Sequence, residues 1–70
     1  MATPGCTLNG PVPPGWSLTK DNVQHPANGL RWLTLIRNAQ TGIYAALDGG
    51  SIVSVPQAWA RRIAEAGGAQ

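Results

Sequence analysis

Only one cysteine, Cys6, and one histidine, His25, occur in this 70-residue chain, and there is no phenylalanine. A single thiol excludes an internal disulfide. One Cys, one His and three acids supply no ligand pair at C-x-x-C or helical spacing, so no metal and no cofactor is expected. Charge is scarce as well. Only 11% of residues are charged, against about 25% in an ordinary soluble domain. The nominal pI of 9.3 therefore reflects few acids rather than many bases. No apolar run is long enough to span a bilayer. MATPGCTLNG has neither a basic n-region nor an apolar h-region, so a secretory leader is not expected. The unpaired thiol favours a reducing compartment: cytoplasmic, or assembled in a particle.

Catalytic patterns are missing too. His25 lies in Gln24-His25-Pro26 with no carboxylate or cysteine at useful spacing. Ser17, Ser51 and Ser54 lack a nucleophile-elbow context. Nothing cationic lies beside Cys6 to activate it. Gly49-Gly50 has neither the lysine nor the spacing of a phosphate loop. Asp21 and Asp48 suit turns. An enzyme is not expected, and no catalytic residue is assigned.

What remains is a chain in two parts. Residues 1–28 contain five of the six prolines and read as an extended Pro/Gly-rich arm, with Val12, Trp16, Leu18 and Val23 as apolar pegs. Residues 29–70 read as a βββα mini-domain. The fold class is α+β: a small three-stranded antiparallel meander followed by one C-terminal helix.

Leu30 to Arg37 is the first strand of that meander. Asn38 to Gly42 suits a four-residue hairpin loop with Gly42 left-handed. A helix over residues 30–40 is the competing reading, because Trp32, Leu33, Ile36 and Ala39 also fit helical spacing. The loop chemistry and the Trp, Thr and Ile content favour the strand.

The register then pairs Arg37 with Tyr44, Ile36 with Ala45, Leu35 with Ala46 and Thr34 with Leu47. Asp48-Gly49-Gly50-Ser51 makes a second, tighter hairpin with a primed turn, opposing Ala46 to Val53 and Leu47 to Ile52. Alternation sorts Leu30, Trp32, Ile36, Ile43, Ala45, Leu47 and Ile52 onto one face. Leu33, Leu35, Tyr44, Ala46, Val53 and Val55 fall on the other, framed by Arg31 and Arg37. Ser54 is the expected N-cap of the helix, with Gln57 completing a capping box. Trp59, Ile63 and Ala66 form its apolar stripe, and Gly67-Gly68 end it, leaving Ala69 and Gln70 as a tail.

So short a helix covers one face only. If it lies on the face carrying Ile36, Trp32 and Trp59 meet there, and the Leu33/Leu35 face needs another cover. At about 25 cal/mol per Å2 of apolar surface, such cover is worth several kcal/mol, comparable to the stability of a domain this small. The arm, a second copy or another protein could supply it.

The chain is therefore expected to be a small non-catalytic protein–protein interaction protein: an accessory or assembly subunit, or an inhibitor docking on a larger machine. Its size and composition would suit a phage or mobile-element product. The expected interface is Trp16, Arg31, Leu33, Leu35, Arg37, Tyr44, Val53 and Val55, a mixture of Arg, Tyr and aliphatics typical of interface hot spots. The alternative is a nucleic-acid-binding module using Arg31, Arg37, Arg61 and Arg62 on phosphates. Neither a membrane nor a small-molecule substrate is expected as a partner.

Overall fold

The computed structural model describes residues 6–68. A two-residue ladder comes first, formed by β1 (Cys6–Thr7) and β2 (Gly10–Pro11). A four-stranded antiparallel sheet follows, in the order β3 (Trp16–Gln24), β4 (Trp32–Asn38), β5 (Tyr44–Asp48) and β6 (Ser51–Ser54). Helix α1 (Gln57–Gly68) closes the described chain. The class is α+β, as the sequence pattern indicates. Residues 30–40 are strand and turn, not helix. The expectation for Ala69 and Gln70, and that part of the arm reading covering residues 1–5, lie outside the described residues.

The two expected hairpins form in the expected register. Thr34 opposes Leu47, Leu35 opposes Ala46, Ile36 opposes Ala45 and Arg37 opposes Tyr44. The first loop is held by the Asn38 carboxamide, whose Oδ1 accepts from the amides of Gln40 and Thr41 (2.9 Å each). Gly42 has φ +78° and donates to the Asn38 carbonyl at 2.8 Å. At the second turn, Gly49 and Gly50 have φ +62° and +94°, the pair of left-handed residues that a type I′ turn requires.

Two expectations are corrected. The sheet has four strands, not three. Residues 16–24 of the arm form β3 against β4, so the boundary after residue 28 does not separate an arm from a domain. WSLTKDNVQ contains no proline or glycine, so every residue keeps its amide donor and a side chain to pack. Two register shifts, between Leu18 and Lys20 and between Lys20 and Val23, show where the pairing is irregular. Asn22 adopts φ +57° at the second, a left-handed conformation that Asn tolerates better than most side chains.

The start of the helix also differs from the expected one. Ser54 ends β6 rather than capping α1, and the first helical hydrogen bond runs from Ala60 N–H to the Pro56 carbonyl (3.0 Å). Gln57 does not form a capping box. Its side chain reaches Tyr44, with Oε1 accepting from the Tyr44 amide and Nε2 donating to the Tyr44 carbonyl, both at 2.8 Å. The carboxamide thus continues the ladder alongside β5 after the backbone of β6 has left it.

The sequence leaves open which face the helix takes, and it covers the face opposite to the one carrying Ile36. Leu33, Leu35, Ala46, Val23 and Ala60 form one core, with Tyr44, Val53, Val55, Trp59 and Ile63 packed around it. Trp32 and Trp59 therefore belong to opposite faces and do not meet through the helix packing. The inward stripe of α1 is centred on fully buried Ala60, which lets the helix approach the sheet closely, while Ala66 is exposed. Polarity explains the choice of face. Thr34 sits in the middle of the Ile36 face, and beneath Trp59, Ala60 and Ile63 its hydroxyl would lack a partner.

Candidate interaction surface

The Ile36 face is closed by the N-terminal segment. Ile36, Ala45 and Leu47 are buried, with Val12 and Trp16 packed against them. Trp16 reaches this position through a turn at Pro13–Trp16. Its amide donates to the Pro13 carbonyl at 3.2 Å, with Gly15 at φ +86°. Pro14 and Gly15 occupy the positions that a type II turn favours for each.

A polar clip fastens the β1–β2 turn to the same face. Thr34 is fully buried and donates its hydroxyl to Asp21 Oδ1 at 2.6 Å. It accepts in turn from Asn9 Nδ2 at 3.1 Å. Asn9 also donates to the Trp32 carbonyl (3.2 Å), while its Oδ1 accepts from the Gly49 amide (3.0 Å). Asp21 further accepts from the amides of Leu8 (2.9 Å) and Asn22 (2.8 Å). Partial burial pushes the Asp21 carboxyl up. The hydrogen bonds from Thr34, Leu8 and Asn22 outweigh that effect and hold it below the ordinary aspartate value. Among the described residues, no buried side-chain polar atom is left without a partner.

The expected interface residues are dispersed. Leu33 and Leu35 are fully buried under the helix, and Tyr44, Val53 and Val55 are half-buried against the same core. Trp16 is half-buried on the other face. Arg31 forms an ion pair with Asp48. Arg37 is exposed opposite Tyr44, and its guanidinium lies against Gly42, where an added Cβ would come 3.0 Å from Nη2. Arg61 and Arg62 are exposed on α1. These four arginines occupy a hairpin end, the opposite end of the same strand and the helix surface. They do not line one groove.

Large apolar side chains do remain in water on the arm-covered side. Leu18 is 48% exposed, Trp32 47%, Ile43 54% and Ile52 46%. Register places each of them on the Ile36 face. Leu18 opposes Ile36, Ile52 opposes Leu47, Trp32 lies two residues from Thr34, and Ile43 lies two residues from Ala45. They fringe the seated arm at the β3 edge, the β6 edge and both ends of the sheet. Alternation had already grouped Trp32, Ile43 and Ile52. Their exposure was not legible, because it depends on which face the helix takes.

Little else is available for chemistry. His25 Nδ1 accepts from the amides of Ala27 (2.9 Å) and Asn28 (3.0 Å), so that nitrogen is committed to the β3–β4 turn. Among the described residues there is no pocket, no cluster of three metal-ligating side chains, and no helix long and apolar enough to cross a membrane. No protein-family model, no curated protein and no solved structure matches the chain.

Proposed function

We propose that the chain is a small non-catalytic protein–protein interaction module, an accessory or assembly subunit or an inhibitor that docks on a larger machine. The supporting observation is the fringe of Leu18, Trp32, Ile43 and Ile52, four large apolar side chains each about half exposed around the seated arm. Leaving them wet costs stability that a domain of this size can ill spare. A protein surface laid over that side would bury them together, with Trp32 as the anchor side chain.

The test is quantitative capture from the native host. A tagged chain is expected to retain a discrete protein at fixed stoichiometry. Trp32→Ser should abolish retention, while Arg61→Ala/Arg62→Ala should keep it. Retention unaffected by Trp32→Ser would refute the proposed surface. Retention lost with the arginines, together with salt-sensitive binding to duplex DNA, would favour a nucleic-acid module instead.

A further inference from the structure

The two outer edges of the main sheet are built differently. The β3 edge carries Lys20 and Asp21, two register shifts and a left-handed Asn22. Irregularity and charge of this kind prevent a foreign strand from pairing there. The β6 edge, Ser51-Ile52-Val53-Ser54, has no charge, no proline and regular pairing to β5 throughout. Ser51, Ile52 and Ser54 are exposed, and α1 packs over β3 and β5 instead.

Which backbone groups of β6 are free follows from the ladder. A two-residue turn makes Asp48 and Ser51 a hydrogen-bonded pair, so the same phase makes Ala46 and Val53 one as well. Next in that phase stands Tyr44, whose amide and carbonyl are taken by Gln57. The alternate residues of β6, Ile52 and Ser54, therefore direct both N–H and C=O away from the sheet, and among the described residues no strand pairs there.

We propose that this edge is a self-association site at which β6 of a second copy adds antiparallel, joining two sheets into one across a two-fold axis at Val53. The inference gives the docking reading a specific partner, but it rests on backbone atoms rather than on the Trp32 fringe. In that register, Ile52 of each copy exchanges both backbone hydrogen bonds with Ser54 of the other. The two Val53 residues stand directly opposite on the helix-covered face, and the two Ile52 side chains lie diagonally across the join on the other face. Both copies use the same atoms, so the contact closes as a dimer. The irregular β3 edge prevents head-to-tail pairing of β6 with β3, which would give filaments. An edge this short buries less than the roughly 1,200 Å2 of a standard interface, so the dimer is weak and concentration-dependent.

Sedimentation of the full chain over a concentration series, with amide exchange followed by NMR, tests the proposal. The mass should rise from 7.3 kDa toward twice that value as concentration increases. Protection of the Ile52 and Ser54 amides should rise with it, while the Val53 amide stays protected throughout. Ser54→Pro removes an outward donor without touching the β5 ladder and should weaken the dimer by at least about tenfold. The exchange readout on the unmutated chain stands even if that variant fails to fold. A monomer at every concentration, a dimer insensitive to Ser54→Pro, protection that does not track mass, or assembly beyond two copies would each overturn the proposal. A monomer that still captures its host protein through Trp32 would overturn this inference alone and leave the docking reading standing.

Discussion

The two faces of one thin sheet are closed by different means. On the Leu33/Leu35 side a helix brings Trp59, Ala60 and Ile63 down on aliphatic neighbours, and the central residues of that layer are fully buried and wholly apolar. On the Ile36/Leu47 side an irregular segment contributes Val12 and Trp16. It is held by directed hydrogen bonds through Asn9, Thr34 and Asp21. A helix presents a continuous stripe and shelters a broad area. A proline-punctuated arm shelters a spot and needs polar fastening. The second side consequently keeps Leu18, Trp32, Ile43 and Ile52 half in water, and the proposed docking surface lies there.

The contrast is broken most severely by emptying the helix-covered core. Leu35→Ala should cost about 2–5 kcal/mol, because Leu35 is fully buried and its neighbours cannot all collapse into the gap. Urea unfolding should show a global loss at both faces. Thr34→Val comes next. It leaves Asn9 and Asp21 each short of one partner and should cost roughly 1–3 kcal/mol. Amide exchange at Leu8 and Gly49 should accelerate before the helix does, and simultaneous acceleration everywhere would contradict a separately fastened arm.

A gentler probe is acid. The Asp21 carboxyl is held below its ordinary value in the folded chain, so its contribution is fully present above the unfolded value and disappears as pH falls through the folded one. The Leu8 amide shift should therefore report release of the β1–β2 turn at a pH below the usual aspartate range. Asp21→Asn should remove that transition. Smallest of all is the effect of Trp32→Ser on stability, expected within about 0.5 kcal/mol because the ring is half exposed. A much larger loss would mean that Trp32 belongs to the arm's core and not to a docking fringe.

Local rules made much of this architecture legible. Asn38 and Gly42, then Gly49-Gly50, identified both hairpins, and period-2 alternation then dictated the cross-strand register. Strand β3 was hidden by averaging. Prolines at 4, 11, 13, 14 and 26 coloured the whole arm as non-strand, although residues 15–25 contain none. Gln57 misled because a glutamine three residues beyond a serine has the spacing of a capping box. In space, the backbone of Tyr44 was the closer claimant. Leu33, Leu35, Val53 and Val55 look like interface in the sequence because the helix that covers them packs through contacts distant along the chain.

By itself, then, the order of residues determined the turns, the pairing of β4 with β5 and of β5 with β6, and the division of side chains between two faces, since all of these depend on strands joined by short hairpin loops. Only the tertiary structure decided which face takes the helix, that residues 16–24 add a strand, and which apolar groups stay wet. Those outcomes hinge on long-range competition for the same surface. Thr34, buried and needing polar company, settles that competition by accepting from Asn9 and donating to Asp21, where a greasy helix could not serve it.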